Sequence, residues 1–348
     1  MVRRVWLLSG RAVNVDLTPA ECIWDARCLV ALTLGTAIPR VELSVAGAVL
    51  HDFDRLGDDD MQVIISDARV ERELVEAAGL SDFEDLTFSS TLTCEGITAL
   101  AERISRFVQL QQLEITSGTL ARLPESIGCL SWLRELKIRH TWLCELPETV
   151  GQLEWLWNID VSHNCLKTLP PCFGRLVWLS SLQISHNRLT SLPDTFGQLM
   201  RLSLLDLSHN WLTSLPDTIG MLACIKKCDM AHNCLSTLPG SIGQLAYLES
   251  IDLTMNELEI LPESIGCLEW LKYLRLNWNF IKVLPTSFRQ LVWLRELHLR
   301  GNRMSAWPEE FEYLTGLNLL DVSDQVRFCP GPKLTPPGLP PRLEQVRF

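Results

Sequence analysis

The sequence predicts an α/β solenoid, in which short coils of chain stack so that their strands form one parallel sheet. A Leu-Pro or Trp-Pro pair recurs every 23 residues, nine times from Pro124 to Pro308. A fixed period of this length is the signature of a repeat architecture. The apolar residues around each pair keep one register, which the stretch from Leu202 to Leu222 shows completely.

The repeat spacing explains why the coils must stack. Leu205 and Leu207 are two residues apart, so their side chains point to one side of a strand. A single coil cannot bury all its leucines, but neighbouring coils can bury them against each other. Proline after leucine ends the inward run and begins an irregular or short helical return. The next recurring feature is an amide where the chain leaves the strand, which can pair backbone groups of neighbouring coils: Asn164, Asn187, Asn210, Asn233, Asn256, Asn279 and Asn302.

The motif Leu215-Pro216-x-x-Ile219-Gly220-x-Leu222 resembles that of intracellular leucine-rich-repeat proteins of the Ras-suppressor and scribble type, including the plant intracellular Ras-group-related family. The resemblance covers residues 110–322. It implies a right-handed horseshoe with a concave parallel sheet, a cytoplasmic location and the scaffolding of signalling partners, with no shared catalytic residue. Gly118, Thr141 and Gln325 replace the recurring asparagine, and we interpret them as capping changes.

Residues 1–66 lie outside the repeat and are predicted to form a small α+β domain. Strands at 5–7 and 13–17, a helix from Thr18, a strand at 43–45 and a closing strand at 61–65 give the order ββαββ. This order, with Leu-Ser-Gly-Arg at 8–11 and Val-Ala-Gly-x-x-Leu-x-Asp at 45–52, resembles the ubiquitin-like (β-grasp) fold. The terminal diglycine is absent, so conjugation is excluded. The domain is then either a docking module or a folded cap.

The remaining segments flank the repeat array. Residues 67–109 are predicted to hold a linker helix at 68–78 and a capping repeat similar to those of the ribonuclease-inhibitor class. Residues 323–348 form a Pro-rich tail, which either covers the last coil or serves as a ligand for an aromatic-groove domain.

Composition restricts the function. With 31 Lys and Arg against 42 Asp and Glu, the net charge is -11, which disfavours nucleic acid and anionic membranes as partners. We expect no membrane span, no signal peptide and a cytoplasmic chain. Twelve cysteines without a Cys-x-x-Cys pair are interpreted as reduced thiols packed as small apolar residues. No catalytic triad, phosphate-binding loop or ligand cluster interrupts the pattern, so we expect no enzyme, cofactor or metal.

Two polar columns recur beside the predicted strands. His140, His163, His186, His209 and His232 share one repeat position, which indicates repeat consensus; a pH-sensitive surface and a metal site are the alternatives. Asp160, Asp206, Asp229 and Asp252 share another position. They represent either repeat consensus or a site for a basic partner segment. A third column, Trp132, Trp155, Trp178, Trp270 and Trp293, is interpreted as a structural row, with an exposed binding edge as the alternative.

Residues that depart from the repeat consensus are the better candidates for binding. Tyr273, Arg275, Trp278 and Arg300 combine aromatic and guanidinium groups, the composition of interface hot spots, and we predict that they anchor a partner. The complete predicted partner-binding set is Lys137, Arg139, His140, Asp160, Asp206, Asp229, Asp252, Tyr273, Arg275, Trp278, His298 and Arg300.

The predicted function is therefore a non-enzymatic, monomeric scaffold or signalling adaptor that binds an unidentified protein on the concave face. The alternative is a ubiquitin-pathway adaptor, whose repeats select a client while the first domain docks a ligase or the proteasome.

Overall fold

The structure is a computed structural model. It describes residues 100, 104–105, 107–304, 307–325 and 343–347, and the backbone of the strands between Val2 and Glu95. The chain divides into two compact units, Met1–Leu156 and Trp157–Phe348.

The first unit begins with short strands. β1 (Val2–Leu7) pairs antiparallel with β2 (Ala12–Asp16) and with β3 (Val41–Glu42), while β4 (Ser44–Val45) and β5 (Ala48–Val49) form a separate antiparallel pair. β6 (Arg55–Leu56) pairs antiparallel with β7 (Asp60–Ile65). β7 was expected to close the sheet of the first domain, but it pairs in parallel with β8 (Thr91–Glu95) instead. The predicted helices from Thr18 and at 68–78 lie outside the described residues, so the ubiquitin-like domain stays a prediction.

Coils of the repeat begin within the first unit. β8, β9 (Gln112–Thr116) and β10 (Glu135–Arg139) are parallel neighbours. Two 3₁₀ helices, Glu125–Cys129 and Glu148–Gln152, form the return segments. The helix predicted in the capping repeat falls mostly outside the described residues. Its described end is a tight turn, in which the Phe107 amide donates to the Ile104 carbonyl at 3.0 Å.

The second unit is a stack of parallel strands. In every strand from β11 to β18 the middle residue is buried and faces the core. Parallel pairing between successive strands confirms the predicted parallel sheet. The strands are β11 (Asn158–Asp160), β12 (Ser181–Gln183), β13 (Leu204–Asp206), β14 (Lys227–Asp229), β15 (Ser250–Asp252), β16 (Tyr273–Arg275), β17 (Glu296–His298), β18 (Leu319–Asp321) and β19 (Gln345–Arg347).

The return segments of the second unit are 3₁₀ helices. Each follows the recurring proline, whose backbone is extended, as at Pro216 with φ -67° and ψ 149°. The third residue of each helix, such as Ile219, is buried in the core. The helices are Pro171–Arg175, Asp194–Gln198, Asp217–Met221, Gly240–Gln244, Glu263–Cys267, Thr286–Gln290 and Glu309–Tyr313. The described coils therefore return through one 3₁₀ turn each and not through an α-helix, which keeps the repeat as short as 23 residues.

The recurring glycine lets adjacent 3₁₀ helices pack closely. A side chain on Gly197 would place its Cβ 2.8 Å from the Cβ of Thr218 and closer still to the Thr218 carbonyl oxygen. Ordinary contacts begin near 3.4 Å, so a residue with a Cβ cannot be accommodated without separating the two coils. Glycine is therefore required here for close approach.

The buried asparagines join neighbouring coils. Asn210 is 3% exposed; its amide nitrogen donates to the carbonyls of Ile184 and Leu207 at 3.0 Å, and its oxygen accepts the Leu189 amide at 3.0 Å. Gln325 does the same in the last coil, donating to Leu299 at 2.6 Å and accepting from Met304 at 3.3 Å. The interpretation of Gln325 as a capping change was therefore wrong, because its longer amide continues the ladder.

The cysteines do not all pack as core residues. Cys172 and Cys228 are buried, whereas Cys129, Cys144, Cys224 and Cys267 are exposed, so the sequence interpretation was correct only in part. Cys228 takes the middle-strand position that Leu205 and Ile251 take in adjacent strands. Burial raises the pKa of its thiol well above the ordinary range, which makes Cys228 an inert core residue.

Candidate protein-binding face

The candidate site is the solvent-facing side of strands β11–β18 in the second unit, called here the sheet face. The first and third residues of each strand point to this side, as the partial exposure of Ser250 and Asp252 on either side of fully buried Ile251 shows. A rigid array of strands presents these side chains in straight columns, because successive strands are in parallel register. The columns differ in chemistry along the sheet.

The histidine position has a backbone reason that the sequence analysis missed. His163, His186, His209 and His232 have φ between 53° and 57°, and Met255 and Trp278 have the same conformation in the next two coils. Among residues other than glycine, histidine, asparagine and aspartate are enriched in this left-handed region. The sequence signal for this left-handed backbone conformation was the recurrence of histidine directly before the buried asparagine.

The histidine rings form a continuous stack in the second unit. Centroid distances are 4.2 Å between His163 and His186, 4.1 Å between His186 and His209, and 4.0 Å between His209 and His232, with the rings nearly parallel. The pKa of His209 is lowered from its ordinary value near 6.5, first by burial and then by the neighbouring imidazoles His232 and His186. Protonating adjacent rings at this distance is unfavourable. Burial and stacking therefore favour the neutral form of His209.

The aspartate column is partly used within the fold. Oδ1 of Asp206 accepts the Ser208 amide at 3.0 Å and the Ser208 hydroxyl at 2.7 Å, and thereby supports the turn that follows the strand. Asp160 makes the same pair of bonds to Ser162 and is only 7% exposed. The prediction that Asp160 contacts a partner was therefore wrong, because its carboxylate is buried in its own turn. Asp206, Asp229 and Asp252 remain partly exposed.

Like charge accumulates along this column. Burial raises the pKa of Asp229, and the neighbouring carboxylates of Asp252 and Asp206 raise it further. The hydrogen bond donated by the Ala231 amide and the charge of Arg275 act in the opposite direction and lower this pKa. Arg275 lies 3.4 Å from Asp252. One arginine thus neutralises only part of the charge of a row of three carboxylates, and the column presents negative potential to solvent.

The predicted aromatic and arginine residues come together on β16 and the loops that follow β16 and β17. We call Tyr273, Arg275, Trp278 and Arg300 the aromatic–arginine cluster. Trp278 is 46% exposed, and the Arg300 guanidinium lies 5.6 Å from the centre of its ring. Arg300 is held by Asp324, with N–O distances of 2.6 and 2.8 Å. The cluster therefore presents an oriented indole and two half-exposed guanidinium groups.

Trp278 is oriented by its neighbour in the next coil. Gly301 has φ 69° and is buried, and a Cβ on it would lie 2.8 Å from Cδ2 of Trp278. The indole therefore lies against the Gly301 backbone, where every earlier coil of the unit carries a side chain at the equivalent position. Sequence reasoning selected Trp278 but not Gly301, although the change from histidine to tryptophan to glycine at one repeat position was visible.

The remaining predicted residues are accounted for as follows. His298 is partly buried and lies 3.6 Å from Glu296. In the first unit, Lys137 pairs with Glu135 at 2.6 Å and Arg139 pairs with Glu114, while His140 is exposed with φ 53°. These three belong to a different unit from the cluster and are not part of the site built above.

Two further surfaces emerge from the structure. The tryptophan row is exposed in the second unit, with Trp178, Trp270 and Trp293 at 42%, 55% and 64%; the structural role of the row and the alternative of a binding edge both stay predictions. Basic residues also accumulate just before strands β14, β16 and β17, at a position that the sequence analysis did not consider.

Within the described residues, no group of three or more His, Cys, Asp and Glu side chains is arranged to hold a metal, and no helix has the length and hydropathy of a membrane span.

Comparisons with known proteins agree on the repeat. A leucine-rich-repeat family model matches residues 178–235. The plant peptide hormone receptor RGFR1, in complex with RGF2, is similar in structure with a TM-score of 0.59 and 24% identity, over 75% of this chain and 46% of the receptor chain. An internalin (inlF) from Listeria monocytogenes gives a TM-score of 0.57 and 18% identity, over 83% of this chain and 86% of the internalin chain. At these identities the likeness shows the fold alone.

No curated protein matches the chain in sequence. The 23-residue period, the parallel strands joined by 3₁₀ turns, the family match and the structural similarity all describe one architecture. Proteins of this architecture generally mediate protein–protein interactions and are typically non-enzymatic binding scaffolds. The chain therefore has a leucine-rich-repeat fold, and its residues 178–235 match the leucine-rich-repeat family model.

Proposed function

We propose that the protein is a non-enzymatic scaffold or signalling adaptor that binds a protein partner on the sheet face of its second unit, with the aromatic–arginine cluster as anchor. One observation carries this proposal. Trp278 is large, half-exposed and oriented by the Gly301 backbone and the Arg300 guanidinium. Exposing an oriented indole costs hydration free energy, and tryptophan beside arginine is the composition that most often dominates interface energetics.

The organisation of the cluster supports a binding role. Arg300 is fixed by Asp324 before any partner arrives, so less side-chain entropy is lost on binding. Arg275, by contrast, is only weakly paired with Asp252 at 3.4 Å. A partner carboxylate could bind its guanidinium in the bidentate geometry that arginine favours.

The structural comparison adds support of a general kind. RGFR1 was determined in complex with RGF2, so a protein with a similar coil stack binds a peptide hormone. The Leu-Pro-x-x-Ile-Gly-x-Leu motif supports the finer proposal of a cytoplasmic protein of the Ras-suppressor and scribble type, acting as a monomer. The ubiquitin-pathway alternative depends on residues 1–66, whose side chains lie outside the described part of the chain, and stays a prediction.

The proposal is tested by partner capture with matched double variants. Trp278→Ala with Arg275→Ala removes the anchor, and we expect at least a tenfold loss of captured partner. Trp178→Ala with Arg201→Ala is the control, because Arg201 lies 3.7 Å over an exposed tryptophan elsewhere in the same unit. Unchanged circular dichroism must accompany both variants. Full capture by the Trp278 and Arg275 variant would overturn the proposal, and loss in the control alone would move the site to the tryptophan row.

A further inference from the structure

Basic side chains lie directly before strands β14, β16 and β17, and Glu249 holds the equivalent position before β15. Lys226, Glu249, Lys272 and Arg295 are neighbours across the sheet: the amide of each donates to the carbonyl of the one before it, at 2.9, 2.9 and 2.8 Å. Lys227 follows Lys226 and is the first residue of β14. We call Lys226, Lys227, Lys272 and Arg295 the basic row.

The basic row carries more positive charge than the fold itself neutralises. Two carboxylates lie among these positions: Glu249, which accepts a 2.7 Å bond from Lys272 Nζ, and Glu296, the first residue of β17, which lies 3.6 Å from His298. The pKa of Glu249 is lowered first by Lys272, and also by the charges of Lys226 and Lys227. Three lysines thus act on one carboxylate, while Lys226, Lys227 and Arg295 are exposed. In a chain of net charge -11, this is a local reversal of sign.

Two of these strands, β14 and β15, have the opposite charge at their other end. Asp206, Asp229 and Asp252 end β13, β14 and β15, and their mutual repulsion contributes to the raised pKa of Asp229. β16 and β17 end in Arg275 and His298, so an anionic segment is attracted to the beginning of β14 and β15 and repelled from the ends of these two strands. Such a boundary between unlike charges favours one binding position for the segment on the sheet face and disfavours others.

We propose that the partner docks through an acidic protein segment that lies across the beginning of strands β14–β17, along the basic row. This rests on the proposed function, because Tyr273 of the aromatic–arginine cluster directly follows Lys272 and extends the same surface. From Lys226 to Arg295 the row spans three strand spacings, or about 14 Å. An extended segment of about five residues covers that distance. Two or three carboxylates within it would satisfy the lysines that Glu249 does not.

The test uses the full chain and a defined acidic probe. A fluorescein-labelled peptide of ten glutamates is titrated by fluorescence anisotropy, with a ten-residue lysine peptide and a ten-nucleotide single-stranded DNA as competing classes of ligand. The double variant Lys226→Glu with Lys227→Glu should weaken glutamate-peptide binding at least tenfold. Lys167→Glu with Lys282→Glu changes the net charge equally at exposed positions outside the row, and should change binding less than twofold. Arg295→Glu provides a second, independent variant should the double variant not fold.

Each outcome decides the proposal. Selective loss in the basic-row variants, with weaker binding at higher salt as expected of exposed charges, supports it. Absent binding by the wild-type chain, equal loss in the control, or preference for the lysine peptide overturns it. DNA that binds as tightly as the glutamate peptide, and loses affinity in the same variants, also overturns it in favour of a general polyanion surface. Partner capture that depends on Trp278 but not on the basic row would leave the proposed function standing and remove only this inference.

Discussion

Replacing Gly197 with alanine tests whether close packing of the 3₁₀ helices sets the stability of the second unit. The new Cβ would lie 2.8 Å from the Cβ of Thr218, where ordinary contact begins near 3.4 Å. The coils must therefore separate by roughly 0.6 Å or more, and the obstacle includes backbone, which cannot rotate away. Overpacking of a close-packed interior costs about 1–3 kcal/mol, and we expect the upper end, about 3 kcal/mol.

Gly240 is the matched control for this prediction. It lies at the start of an equivalent 3₁₀ helix, and a Cβ built on it meets nothing within 4 Å. Gly240→Ala should therefore be neutral or stabilise by up to about 1 kcal/mol, because alanine restricts the unfolded chain. Urea denaturation followed by circular dichroism and tryptophan fluorescence compares the two variants with the wild type. A Gly197→Ala protein as stable as the Gly240→Ala protein would refute the packing argument.

Two further predictions concern the polar ladders. Asn210→Ala leaves the buried Leu189 amide without its 3.0 Å acceptor and also removes the hydrogen bonds that the Asn210 amide donates. The free energy of unfolding, measured by urea denaturation, should fall by about 3 kcal/mol, and a loss below about 1 kcal/mol would contradict this. Because the pKa of His209 is lowered in the folded state, protons bind the unfolded chain better. The contribution of His209 to unfolding free energy is therefore fully present above the ordinary pKa near 6.5 and is lost as pH falls below it. Urea midpoints at pH 7.5 and 5.5 should differ less in His209→Asn than in the wild type, and equal differences would exclude this origin.

The repeat was predictable because its signals are local and periodic. The positions of Leu202, Leu205 and Leu207 are apolar in every coil, as only an inward-facing strand and its approach can explain, and the structure buries all three leucines. The form of the return segment was not equally predictable. Pro216 and Ile219 mark where it begins and turns inward, but a single turn can close as 3₁₀ or as irregular chain. Packing between neighbouring coils decides between them.

The candidate site was predicted by composition and corrected by geometry. Tyr273, Arg275, Trp278 and Arg300 were recognised because they depart from the repeat consensus, and the structure places them on β16 and the loops that follow β16 and β17, with Arg300 against Trp278. Asp160 was assigned to the same surface by its repeat position, yet it is buried against Ser162. Identical repeat positions thus do not guarantee identical exposure.

The sequence by itself determined the period, the inward leucines, the asparagine ladder and the column to which each polar residue belongs. These follow from a 23-residue spacing that repeats without interruption. The tertiary structure alone decided what each column does, because function depends on neighbours 23 residues away. Stacking of coils brings neighbouring imidazoles within 4.2 Å of each other, places Trp278 against Gly301, and places Lys226, Lys227 and Lys272 around Glu249. Exposure and charge are properties of the stacked coils together, and no single repeat contains them.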